Sequence, residues 1–177
     1  MSELSPPQQE RSRQTLSAIA DATKRLLQTH TFAELTIEQI TTTAGASTGS
    51  FYARFKGKRA LLHHLHEAFV DQSRANIKTF VALVGPQTME PEQFVELWIP
   101  EVVKSHLDNH GLLRATMIES LDDPEFAVRA TKLVRYISTR LAEVIRNHSG
   151  RQEAHIRNIE ESMRLLASPG PALLETL

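Results

Sequence analysis

The sequence predicts an all-α protein. Apolar residues recur three and four apart over most of the 177 positions, which is the spacing of one face of a helix. No segment alternates apolar and polar residues over a useful strand length. Gly85-Pro86, Asp123-Pro124 and the Ser168–Pro171 run punctuate the periodic stretches. The expected architecture is an N-terminal three-helix helix-turn-helix domain, joined by a long fourth helix to a C-terminal helical bundle.

Residues 1–10 are polar, contain Pro6 and Pro7, and read as a flexible arm. The N-terminal domain is expected over residues 11–57. Its first helix runs from about Arg11 to His30, with Leu16, Ile19, Ala20, Thr23, Leu26 and Leu27 on one face. Thr36 is an N-cap, and Gln39, three residues on, completes a capping box. The second helix, Ile37 to Ala44, stops at Gly45, because glycine tolerates the left-handed conformation that ends helices. Ser47 caps a third helix from about Thr48 to Phe55, and Lys56-Gly57 breaks it. The helix-turn-helix itself therefore spans about residues 36–55.

Residues 58–177 form the second part. A fourth helix of about Lys58 to Leu83 places Leu62, Leu65, Phe69, Ile77, Phe80 and Val81 on its apolar side, while its middle, residues 71–76, is polar nearly all round. A fifth helix runs from Pro91 to about Asn109, with a kink expected at Pro100. Gly111 to Leu121 forms a sixth. Pro124 opens a seventh that ends between Asn147 and Gly150, and an eighth covers about Gln152 to Ala167. The last two carry narrow stripes: Phe126, Ala130, Leu133, Ile137, Leu141 and Val144 on one, Ile156, Ile159, Met163 and Leu166 on the other. Such spacing suits a helix-bundle seam, either between two chains or within one. Leu133, Ile137, Leu141, Ile156, Ile159, Met163 and Leu166 are the candidate dimer interface.

Composition narrows the function classes. At 41% hydrophobic residues the chain can bury a core, yet no apolar run approaches the ~20 residues of a membrane helix. The N-terminal residues lack the basic start and apolar stretch of a signal peptide, so a cytoplasmic protein without membrane contact is expected. The chain has no cysteine, which excludes disulfides, thiolate zinc sites and cysteine nucleophiles. The sequence contains no HExxH, GxSxG, phosphate loop or paired-carboxylate metal motif. An enzyme is therefore not expected, and neither is a cofactor. His63, His66 and Glu67 share a helical face, but a metal site needs a further ligand that nothing in the sequence supplies, so no metal site is expected.

Charge is unevenly placed. Residues 1–60 hold eight Lys/Arg against five Asp/Glu, and the rest hold twelve against sixteen. The basic excess is densest at Arg54, Lys56, Lys58 and Arg59, within a stretch free of acids from Gln39 to Leu65. Phosphate binding needs cations on one local surface rather than a high overall pI. A short helix beside them, opening with Ser47, Thr48, Gly49 and Ser50 and carrying Phe51 and Phe55 on its other face, has the form of a helix that enters the DNA major groove. Small hydroxyls there reach base edges and phosphates, Gly49 permits close approach, and Phe51 and Phe55 face the core. Arg54 and Lys56 are further cations for the phosphate backbone.

From about Arg13 to Leu62 the chain resembles the TetR family of bacterial transcription regulators. The resemblance is carried by Ile19-Ala20, Leu26-Leu27, Phe32, Thr36-Ile37, Ile40, Ala44-Gly45-Ala46-Ser47, Gly49-Ser50-Phe51-Tyr52, Phe55, Lys58 and Leu61. It departs from the family's usual pattern at Thr31, Thr41 and Thr48, the last standing where most members have Lys. The resemblance implies that the Thr36 hydroxyl, the Tyr52 hydroxyl and Lys58 contact DNA phosphates. It implies a homodimer, most simply a ligand-responsive repressor, whose third helices sit ~34–36 Å apart on a near-palindromic double-stranded operator. It also implies a small-molecule effector held among the fourth to eighth helices, for which composition offers Phe69, Phe80, Phe94, Trp98, His106, Met117, Glu119, Phe126 and Tyr136. The alternative is a helical adaptor of the same fold that has lost DNA binding, which the missing Lys at Thr48 makes conceivable.

Overall fold

The computed structural model describes residues 8–84, 91–148 and 161. Among them are seven helices and no strand: α1 (Gln8–Leu27), α2 (Ile37–Ala44), α3 (Thr48–Tyr52), α4 (Lys58–Val84), α5 (Pro91–Asp108), α6 (His110–Glu119) and α7 (Pro124–His148). The all-α expectation holds, and α4 is the expected long helix. The expected eighth helix lies outside the described residues, together with the dimer candidates Ile156, Ile159, Met163 and Leu166. No helix among the described residues is long and apolar enough to cross a membrane.

Two boundaries differ from the sequence reading. Helix α1 starts at Gln8, inside the stretch read as an arm. Helix α3 ends at Tyr52 rather than Phe55, because Arg54 N–H donates to Phe51 O at 2.9 Å and so tightens the last turn. Helix α5 runs from Pro91 through Pro100 to Asp108, within a residue of the expected end.

The chain divides into two compact units that do not follow the boundary expected at residue 57. Among the described residues, unit 1 comprises residues 8–67 and 106–122, and unit 2 comprises residues 68–84, 91–105, 123–148 and 161. In unit 1, α1 packs on α2 and α6, and α2 packs on α3. Its core includes Ile19, Ala22, Leu27, Ile40, Phe51, Leu61, Leu62 and Leu65, the inward positions of helices read as amphipathic. Gly111 of α6 lies so close to the C-terminus of α1 that a Cβ built there would come within 2.1 Å of Leu27 O. Only a residue without a side chain fits. Arg114, one turn on, donates to Leu27 O and His30 O at 3.4 and 3.0 Å, meeting a carbonyl that the end of α1 leaves without an intrahelical donor and another in the loop that follows.

Unit 2 is built on Ile77, Phe94, Trp98, Leu141 and Val144, with Phe80, Val81, Val102, Tyr136 and Ile137 packed against them. The α7 stripe is therefore largely the core of its own chain. Leu133 and Leu141 are buried, and Ile137 packs on the cluster. Three of the candidate dimer residues, Leu133, Ile137 and Leu141, thus take part in the packing of unit 2.

Candidate nucleic-acid interface

The face centred on α3 is set by three local devices. First, the capping box forms: Gln39 N–H donates to Thr36 Oγ1 at 3.1 Å, and Thr36 N–H donates to Gln39 Oε1 at 2.8 Å. The Thr36 side chain is exposed and keeps its own hydroxyl proton to donate elsewhere. Second, Gly45 takes φ +62°, and the Ala46 and Gly45 N–H groups close onto Thr41 O and Thr42 O at 2.9 and 3.1 Å. This is the double hydrogen bond of a left-handed helix stop, and it turns the chain sharply into α3. Third, Ser47 Oγ accepts from Ser50 N–H at 3.1 Å and lies 2.9 Å from Ser50 Oγ.

Helix α3 and the residues flanking it are sorted by side. Phe51 and Phe55 are buried, with ring centroids 5.5 Å apart. Ser47, Thr48, Gly49, Tyr52 and Lys56 are exposed, and Ser50 is half-buried. The hydroxyl-bearing start of the helix faces outward, and its aromatic pair anchors it. A shallow groove of about 330 Å³ runs between α1 and the α2–α3 turn, lined by Gln14, Thr15, Ala18, Ala44 to Ser47 and Ser50.

Two of the cations are already engaged. Arg54 donates from Nη1 to Ser50 O at 2.6 Å, and from Nη2 to Ser12 O and Ser12 Oγ at 3.2 and 3.0 Å, fastening the end of α3 to α1. Lys58 Nζ donates to Phe32 O, Ala33 O and Leu35 O and lies 5.0 Å from the Phe32 ring centroid. Its ammonium thus closes the loop between α1 and α2. That loop is also tied by Thr31, whose N–H and Oγ1–H donate to Glu34 Oε2 at 2.7 and 2.8 Å. These donors, the backbone one foremost, hold the Glu34 carboxyl below its ordinary value. Thr41, the second departure from the family pattern, is buried, and its hydroxyl donates to Ile37 O at 3.0 Å, so the polar atom is satisfied.

The sequence reading missed Ser12, Gln14 and Thr15. Helix α1 brings them beside Ser47, Ser50 and Arg54, but no local motif connects segments so far apart. The outward face of α1, at spacings of three and four through Gln14, Thr15 and Ala18, was the available signal.

The effector candidates divide. Phe80, Phe94, Trp98 and Tyr136 come together in the unit 2 cluster. Phe126 is buried in unit 2, and Phe69 is half-buried there. His106, Met117 and Glu119 lie in unit 1, where Glu119 accepts from Arg59 Nη2 at 2.9 Å and Nε at 3.1 Å. His63 and His64 are half-buried, His66 is buried, and His64 packs on Phe55 with ring centroids 5.6 Å apart.

Comparison with known proteins agrees with this geometry. Residues 19–65 match the family model described as bacterial regulatory proteins, tetR family. No curated protein sequence matches the chain. Among solved structures, the chain is similar to a protein from Mesorhizobium loti MAFF303099 assigned to the TetR family of transcriptional regulators, at TM-score 0.62 and 12% identity over 89% of this chain and 95% of that one. A TetR transcription regulatory protein from Mycobacterium vanbaalenii aligns at TM-score 0.60 and 19% identity, over 91% and 97% of the two chains. The TetR family repressor AlkX from Dietzia sp. strain DQ12-45-1b, implicated in biodegradation of n-alkanes, aligns at TM-score 0.53 and 17% identity over 99% and 98%. The helix-turn-helix segment is thus of the tetR type, and the fold is that of these regulators.

Proposed function

We propose that the chain is a TetR-type transcriptional regulator, a ligand-responsive repressor that binds a near-palindromic operator as a homodimer. The observation that carries this reading is the sorting of α3. Its hydroxyl-bearing N-terminal end, Ser47 to Gly49, is exposed, while Phe51 and Phe55 lock it to unit 1. A rigidly held short helix with a small, polar leading end is what the major groove admits. Ser47, Thr48 and Ser50 are assigned to base edges and phosphates, and Thr36, Tyr52 and Lys56 to phosphates. Arg54 and Lys58 hold the geometry of α3 and of the loop before α2. In this reading the protein acts by binding rather than by catalysis.

The test is fluorescence anisotropy of the purified full chain with a duplex from its own upstream region and with a scrambled duplex, repeated over a salt series. The expected result is tighter binding to the upstream duplex, weakening with salt by a slope of ~0.9 per phosphate contact. Equal, salt-insensitive binding to both duplexes would overturn the proposal.

One observation favours the adaptor alternative. Arg54 and Lys58 are spent on protein acceptors, and Thr48 stands where most family members carry Lys. Tyr52→Phe combined with Lys56→Ala separates the two readings: a DNA binder loses affinity, whereas an adaptor keeps its partner.

A further inference from the structure

Among the described residues of unit 2, two buried donors have no acceptor, Trp98 Nε1–H and Arg140 Nε–H. Buried donors are ordinarily paired, and an orphan asks for an explanation. Both stand on the same aromatic wall. Trp98 lies 5.1 Å from Phe80, centroid to centroid, and Phe80 lies 5.0 Å from Phe94. Tyr136 packs on this cluster, and the Arg140 guanidinium sits 5.4 Å from its ring centroid. Arg74 comes to the same ring at 5.9 Å. Helices α4, α5 and α7 therefore converge with four aromatic rings, two cations and two unused N–H groups.

The cations are only partly neutralised. Arg74 meets Asp71 at 3.7 Å, and Arg140 spends Nη1 on Glu143 at 2.8 Å, which leaves Nε unused. A neutral apolar molecule would leave both donors unpaired, and an inorganic anion would make no use of the rings. A molecule with a carboxylate and an apolar body answers both features.

We propose that this wall binds a small amphipathic carboxylic acid. Its oxygen acceptors take the Trp98 Nε1–H and Arg140 Nε–H donors, and its apolar body lies along Phe80, Phe94, Trp98 and Tyr136. This deepens the effector part of the proposed function and rests on it only for the regulatory consequence, because acid binding is read without DNA.

Trp98 is the chain's one tryptophan, so intrinsic fluorescence reports from the site itself. The full chain is titrated with 4-phenylbutyrate and octanoate, and in parallel with the corresponding neutral amides. The expected result is a saturable change in Trp98 emission for at least one acid, with its amide binding about tenfold more weakly, the discrimination a charged hydrogen bond provides. Comparing the two acids tells an aryl body from an alkyl one. Arg140→Gln should abolish the preference for acid over amide. If that variant does not fold, Trp98→Phe read by thermal shift replaces it: the expected result is a raised basal melting temperature and a reduced acid-induced shift. Equal binding of acid and amide, no saturable response to either acid, or an undiminished acid-induced shift in Trp98→Phe would each overturn the proposal. An acid that binds without changing operator affinity leaves the site standing and removes only its regulatory role.

Discussion

At the scale of single residues, the interface depends on a few side chains with dual capacity. Lys58 offers charge, but its ammonium is held by carbonyls of Phe32, Ala33 and Leu35. Lys58→Met keeps the apolar stem and removes these charged hydrogen bonds, each of the kind worth about 1.5–3 kcal/mol. The expected outcome is a clear loss of stability in a urea melt, with the salt slope of DNA binding lowered by less than the ~0.9 of a lost phosphate contact. A full drop in slope with unchanged stability would assign Lys58 to DNA instead. Glu34 has a pH signature. Its carboxyl is depressed by Thr31 in the folded state, so the ionised form is the one folding favours. The stabilisation is complete above the ordinary Glu value and disappears as pH falls through the lower folded value. Thr31→Gly should therefore flatten stability against pH in the acid range, as followed by thermal melts from neutral pH downward. A wild-type and variant pair with parallel acid profiles would contradict this.

At the scale of elements, what the sequence made legible was what neighbouring residues decide. Thr36 with Gln39, Gly45 and Ser47 are local signals with local causes, and each does in the structure what its spacing indicates. The apolar positions of the first two helices were legible for the same reason. Contacts made across the chain were not. Ser12 meets Arg54 forty-two positions away, and Arg114 meets the end of α1 at a still longer separation. Glu119 read as a polar group for a pocket because nothing near it in sequence announces Arg59. Gly111 read as a helix start, whereas its absent side chain is what lets α6 approach α1. Gly111→Ala would drive a Cβ into the Leu27 carbonyl, and overpacking of this kind costs about 1–3 kcal/mol. The expected outcome is a lower urea midpoint with α6 undocked, seen as faster hydrogen exchange at residues 110–119. A variant as stable and as protected as the wild type would mean that α6 does not seat there in solution.

At the scale of the molecule, a tetR-type helix-turn-helix segment, residues 19–65, sits in a chain whose fold matches TetR-family structures. Reading a near-palindrome requires two copies of α3, so light scattering at micromolar concentration is expected to give twice the chain mass. A monomer that still binds a half-site would remove the dimer from the account and keep the DNA contact. The central claim is that the exposed leading end of α3 touches DNA, and Gly49 tests it with least disturbance of the fold. A Cβ at Gly49 meets nothing nearer than Ser47 Oγ at 3.8 Å, and a carboxylate in the first turn of a helix favours the helix. Gly49→Asp therefore puts negative charge where phosphates and base edges are expected to lie, without harming the helix that carries it. Operator affinity of Gly49→Asp, measured beside its melting temperature, should fall about 100-fold, the scale of like charges brought together at an interface, with the melting temperature unchanged or raised. Wild-type affinity in the folded variant would contradict the account.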